Sequence, residues 1–216
     1  MPVSVTFDLD PDEVAALPRY PGRALHALVY QWLALGDYKR SIDIHQANGP
    51  RPFTIGLVRP RTRRGTGVPA LRLTVLDDEL WPILKAGIAK TDGVVVAECP
   101  LGLPASGREI RTTTYAELVA GAAPDTRLRM AFLTPTSFRT RDMHYPLPDP
   151  RLVFQSWLGR WNTYAPASER INIAALDLVA AHVAISHVRV RSELVDWGGN
   201  KRAVGFTGRV TYIVLR

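Results

Sequence analysis

At 216 residues the chain is long enough for one large domain or two small ones, and 46% hydrophobic against 22% charged residues excludes wholesale disorder. The start, MPVSVTFDLDPDEV, has no basic leader followed by an apolar core, and no segment approaches the roughly 18 uninterrupted apolar residues of a membrane helix, so a cytoplasmic protein with no membrane partner is expected. Cys99 is the only cysteine, which excludes an internal disulfide and a thiolate metal cluster.

Lys and Arg total 27 against 20 acids, a formal charge of +7, which favours a polyanionic partner such as nucleic acid. Residues 1–115 carry 14 bases and 12 acids (+2) and residues 116–216 carry 13 and 8 (+5), so the second half is the main electrostatic footprint. The bases are mostly Arg, whose planar fork suits phosphate, although an Arg-, Ala- and Pro-rich composition is also what a G+C-rich genome yields.

In chain order, Val3 to Leu9 alternates apolar and polar residues and predicts a strand ended by Asp10-Pro11. After Pro21-Gly22, the residues Leu25, Leu28, Val29, Trp32 and Leu33 recur at helical spacing, with Gly36 as the stop. A shorter helix is expected over Tyr38 to Gln46, ending at Asn48-Gly49-Pro50. Pro52 to Val58 and Leu71 to Leu76 read as strands joined by a basic loop, and Asp77-Asp78-Glu79 opens a helix by favouring its positive end. A strand at Val94 to Ala97 or at Ile110 to Thr114 closes the unit. Strand, helix, two strands, helix, strand is the ferredoxin-like order.

Gly121 to Asp125, rich in Gly, Ala and Pro, marks a boundary that gives domains of 1–120 and 121–216. Beyond it, a strand over Arg127 to Phe138, helices over Pro150 to Tyr164 and Ile171 to His182, and strands over Val183 to Leu194 and Val204 to Leu215 repeat the unit imperfectly. The expected fold class is α+β, two tandem ferredoxin-like (RRM-like) βαββαβ domains.

Several stretches resemble the CRISPR repeat-processing endoribonucleases of the RAMP superfamily. LHALVYQWL followed by IHQANGPRPFTI looks like the family's catalytic helix, catalytic histidine and return strand. FLTPTSFR and PLPDPRLVFQSWLGRWN resemble the opening strand and helix of its second half, and GFTGRVTY resembles its glycine-rich signature. The resemblance implies tandem ferredoxin-like domains and metal-independent cleavage of precursor CRISPR RNA within the repeats. It implies 2′-OH attack leaving a 2′,3′-cyclic phosphate and a 5′-OH, with no cofactor and no metal. The implied partners are the repeat RNA, before and after processing, other CRISPR effector-complex subunits, and a second copy in a homodimer. The alternative reading is a non-catalytic RAMP-type RNA-binding subunit of an interference complex.

Family members combine a Tyr on the first helix, a His at the end of the next segment and a Lys six residues beyond; this chain has Tyr30, His45 and, departing from the pattern, Arg51. Metal-free RNA cleavage needs a base for the ribose 2′-OH, an acid for the departing 5′-oxygen and positive charge beside the phosphate. Histidine, with an ordinary pKa of about 6.5, suits either proton-transfer role. His45 is assigned as principal acid or base, Tyr30 as a positioning hydroxyl and Arg51 as a source of charge that cannot itself trade protons. His26, four residues before Tyr30, shares its helix face and is either a second proton carrier or a surface histidine.

The RNA-binding candidates are basic or glycine residues. Arg61, Arg63 and Arg64 lie in the loop between two strands, where the choice is a backbone clamp or a solvated charge run. Lys201, Arg202 and Arg209 bracket a turn at Gly205 and Gly208, where backbone N–H groups could approach phosphates or where Gly serves conformation alone. Arg139 and Arg141 follow TPTSF, and Arg189 and Arg191 alternate on one face of a strand. His144, His182 and His187 lack metal-ligand spacing and are expected to be structural or incidental.

Overall fold

The opening alternation forms β1 (Val3–Asp8), whose Val3, Val5 and Phe7 are all at most 3% exposed. The computed structural model describes every residue except 60, 63–64, 104–107, 141, 197–201 and 216, and describes 61–62, 65–66 and 108 by their backbone. It divides into two units, Met1–Leu118 and Val119–Arg216.

In the first unit, β1 is followed by a short helix, α1 (Pro11–Ala16), and then by α2 (Gly22–Gly36) and α3 (Tyr38–Gln46). Next come β2 (Phe53–Val58), a minimal hairpin of β3 (Arg61–Thr62) and β4 (Gly65–Thr66), β5 (Ala70–Val75), and α4 (Leu80–Ile88). A second hairpin of β6 (Gly93–Val96) and β7 (Cys99–Gly102) precedes β8 (Arg108–Thr112) and α5 (Tyr115–Ala120). The sheet runs β2-β5-β1-β8, antiparallel throughout, which is the ferredoxin-like order. Of the two segments expected to close it, the second does so: Val5 faces Ile110, whereas Val94 pairs with Leu101 inside the separate hairpin.

Every member of the expected α2 stripe is buried, packed over Val5, Phe7, Leu71 and Leu73. Removing such side chains from water stabilises the unit by roughly 1.5–3 kcal/mol apiece. α4 crosses α2 at close range. A Cβ on Gly87 would collide with the backbone carbonyl of Trp32, so glycine is the residue that allows this approach.

The second unit contains β9 (Arg127–Thr136), a hairpin of β10 (Phe138–Thr140) and β11 (Met143–Tyr145), α6 (Pro150–Tyr164), a 3₁₀ turn at Ala167–Glu169, α7 (Ala175–His182), β12 (Val183–Asp196) and β13 (Arg202–Val214). Its antiparallel sheet, β12-β13-β9, holds the first three strands of the ferredoxin-like order. Asp149 caps α6 by accepting from the Leu152 N–H at 3.0 Å, the role an Asp before Pro is suited to. Val153 of α6 packs on Val210 and Tyr212, flanked by Met130, Phe132 and Phe154. The Tyr212 hydroxyl donates to the Pro148 carbonyl at 2.9 Å, and burial pushes its pKa up to about 12.

Three expectations are corrected. The strand expected over 127–138 breaks at Ser137, after which the chain turns into the β10–β11 hairpin. The helix expected from Ile171 starts at Ala175. Gly205 and Gly208 form no turn: both lie inside β13, Gly205 opposite Glu193 and Gly208 between Val190 and Phe132. Gly208 has φ 138°, and a Cβ there would strike the Arg189 carbonyl, so its glycine serves strand packing.

Candidate active site

Two helices joined at Asp37 build the site. The Asp37 side chain accepts from the Arg40 N–H at 3.0 Å, starting α3 immediately after α2 ends. Ser41, buried on α3, donates to the Tyr30 carbonyl at 3.2 Å and pins the two helices together. His26 and Tyr30, one helical turn apart on α2, therefore face the last turn of α3, where His45 sits exposed.

The three rings form a chain. Tyr30 lies 5.2 Å from His26 and 5.0 Å from His45, centroid to centroid, both in edge-on contacts. Phe53, the first residue of β2 and 2% exposed, backs the cluster at 5.0 Å from His26 and 5.6 Å from Tyr30. This apolar wall partly dries the site, and drying decides its protonation. Burial, then the charges of Arg51 and His45, hold the His26 pKa below the ordinary histidine value. Burial pushes Tyr30 above the ordinary tyrosine value and prevails over the nearby Arg51 guanidinium, which pulls it down.

Arg51 closes the C-terminus of α3. One guanidinium nitrogen donates to the Ala47 carbonyl at 2.6 Å and another to the His45 carbonyl at 3.2 Å, two groups that a helix end leaves unpaired. These bonds use part of the five-donor guanidinium, whose remaining N–H groups face the Tyr30 hydroxyl and can meet an anionic group. The Tyr30 hydroxyl is buried without a hydrogen-bond partner of good geometry among the described residues. A hydroxyl approached by the Arg51 guanidinium but not well bonded to it, beside two imidazoles, can serve a substrate oxygen.

His26, Tyr30, His45 and Arg51 are thus brought together, while Ser41 and Phe53, which hold the frame, gave no signal of their own in the sequence. The remaining candidates scatter. Arg139 lies on β10 opposite His144, whose Nδ1 is 3.1 Å from the Ser137 hydroxyl. Arg202 ion-pairs with Asp196 at 3.0 Å, and Arg191 with Glu193 at 2.6 Å. Arg189 stands directly opposite Arg209. Arg61 falls in β3, and Arg63, Arg64, Arg141 and Lys201 lie outside the described residues. Among the described residues no group of three His, Cys, Asp or Glu is placed to hold a metal ion, and no helix is long and apolar enough to cross a membrane.

A family model described as "CRISPR-associated endoribonuclease Cas6" matches residues 130–216. A Cas6 endoribonuclease of Mycobacterium tuberculosis is 36% identical over 94 residues, 43% of this chain and 29% of that protein, so the match spans under a third of the relative. A Thermus thermophilus Cas6 solved as a product complex superposes over 100% of this chain and 86% of its own, with TM-score 0.74 and 29% identity. A second Cas6 product complex, 22% identical with TM-score 0.75 over 100% of this chain and 85% of its own, shares the fold. The second unit therefore matches the Cas6 family model, and the chain as a whole shares the fold of solved Cas6 proteins.

Proposed function

We propose that this chain is a metal-independent endoribonuclease that cuts precursor CRISPR RNA within its repeats. The observation that carries the reading is the His26–Tyr30–His45 ring chain closed by Arg51. The ribose 2′-OH gives its proton to one imidazole and attacks the adjacent phosphorus. The 5′-oxygen leaves with a proton from a second acid, and the products are a 2′,3′-cyclic phosphate and a 5′-OH. His26, held neutral near pH 7, suits the base, and His45, exposed at the rim, suits the acid. The Tyr30 hydroxyl orients a phosphate oxygen, and Arg51 offers its remaining N–H groups to the charge that builds there.

The division of labour follows the two units. The first carries the chemistry and the second supplies the greater positive charge, for holding the repeat before and after the cut. Two Cas6 relatives of the same fold were solved as product complexes and one as a substrate-mimic complex, which supports CRISPR repeat RNA as the ligand. A cytoplasmic location, association with effector subunits and homodimerisation belong to the same reading, the last two read by size exclusion of the RNA-bound protein.

The test is cleavage of an end-labelled repeat RNA from the host's CRISPR array in excess EDTA. A single cut ending in a 2′,3′-cyclic phosphate, abolished by His45→Ala with RNA affinity nearly intact, is expected. Tight binding with no cut by the wild type would make the chain a non-catalytic RNA-binding subunit.

A further inference from the structure

The sheet of the second unit has two unlike faces. One is covered by α6 and holds Phe132, Phe206, Val210 and Tyr212. The register fixes the other. Arg209 lies between Arg189 and Ala131, Thr211 between His187 and Arg129, and Ile213 between Ala184 and Arg127. Directly opposed residues project to the same side, so Arg127, Arg129, Arg189 and Arg209 share one face with His187. All four arginines are exposed, and none makes a side-chain hydrogen bond or ion pair among the described residues.

That arrangement costs stability. Like charges directly opposite on neighbouring strands are unfavourable, and Arg189 faces Arg209 with no acid between them. The corresponding face of the first unit manages its charge differently: Arg111 ion-pairs with Glu109 at 2.8 Å, and Arg72 donates to the Ser4 hydroxyl at 3.1 Å. On the second unit's face, among the described residues, neutralisation is confined to the far end, where Arg191 meets Glu193. An unneutralised cationic face on a twisted sheet, with Arg127 and Arg129 at alternate positions of β9 and Arg189 opposite Arg209 on β12 and β13, complements a chain of phosphates. Among the described residues the face carries no Phe, Tyr or Trp, and His187 is its one flat ring on which an unpaired base could stack, so phosphate contacts dominate it.

We propose that the Arg127, Arg129, Arg189 and Arg209 face binds the phosphate backbone of RNA irrespective of base sequence. This deepens the RNA-cleaving function and rests on it for the identity of the polyanion. Sequence preference then comes from elsewhere on the chain, while this face supplies salt-sensitive grip.

The test titrates the full chain with a labelled repeat RNA and with a scrambled RNA of equal length over a range of salt concentrations. It compares wild type with an R189Q/R209Q pair and with an R127Q/R129Q pair. Each pair is expected to weaken both RNAs alike, by about tenfold at low salt, and to flatten the logarithmic salt slope by about 1.4, the share of two phosphate contacts on a single strand. Thermal unfolding accompanies the titration: R189Q/R209Q should melt at or above wild type, because the substitution relieves a like-charge pair, so weaker binding cannot be charged to unfolding. Unchanged affinity and slope in both pairs overturn the proposal, as does a loss confined to the repeat RNA. Wild type that binds both RNAs through this face but cuts neither would end the nuclease reading and leave this one standing.

Discussion

The ring of Tyr30 stands at 82° to that of His45, with centroids 5.0 Å apart, and its buried hydroxyl has no hydrogen-bond partner of good geometry among the described residues. Among the described residues the Arg51 guanidinium approaches this hydroxyl without a well-formed bond, so the desolvated group gains little for the stability of the fold. Tyr30→Phe is therefore expected to leave the unfolding free energy unchanged or raise it by up to about 1 kcal/mol, while slowing single-turnover cleavage at saturating RNA. Denaturant unfolding and single-turnover kinetics on the same preparations decide it. A clear loss of stability with full activity would make Tyr30 a packing residue.

Arg51 is bound to the two carbonyls that end α3, so it sets where His45 points as well as supplying charge. Lysine keeps the charge, but its compact ammonium lacks the spread fork that holds both carbonyls and still offers N–H groups to a phosphate. Arg51→Lys should therefore retain a cleavage rate between those of wild type and Arg51→Ala. Both variants should lose stability, by about 1 kcal/mol for the exposed charged hydrogen bonds. A lysine variant cleaving at the wild-type rate would show that charge alone matters at this position.

What the sequence made legible follows from how local each signal is. Leu25, Leu28, Val29, Trp32 and Leu33 declare a helix face by spacing alone, and His26 and Tyr30 share a face for the same reason. His45 comes beside them only through the reversal at Asp37 and the Ser41 bond, and spacing alone does not report either; resemblance to a family did. For the closing strand, two short apolar runs of similar character, 94–97 and 110–114, compete in the sequence, and the pairing of β8 with β1 is decided by the third dimension. Gly205 and Gly208 read as a turn because glycine is the commonest turn residue, yet here it admits close backbone approach within a strand. The arginine face was half visible, as Arg189 and Arg191 alternating on one strand. Its other half depended on register with β13 and β9.

His26 gives the first unit an acid-sensitive element. The unfolded chain takes up a proton at this residue near pH 6.5, whereas the native fold, through burial and the charges of Arg51 and His45, resists it to lower pH. Because the unfolded state binds more protons in that window, the stabilisation is complete above about pH 6.5 and is lost as pH falls through the depressed native value. His26→Phe keeps the contact with Phe53 and removes the titration. Its unfolding free energy should fall less than that of wild type between neutral pH and about pH 5. Identical slopes for the two proteins would place the acid sensitivity on another group.

Gly208 separates two readings of the glycine-rich segment. As a phosphate contact, it would offer its N–H to RNA, and Gly208→Ala would weaken binding with the fold intact. As a packing residue, it lets β13 approach β12 so closely that a Cβ would meet the Arg189 carbonyl, and its φ of 138° is one that side chains disfavour. Gly208→Ala should then destabilise the chain by about 2–3 kcal/mol and disturb the register that sets Arg189 against Arg209. Denaturant unfolding reads the first effect. The second appears as a shallower salt dependence of RNA binding, because displaced arginines no longer meet the backbone together. Full stability with lost affinity would return the glycine to the phosphate-binding role.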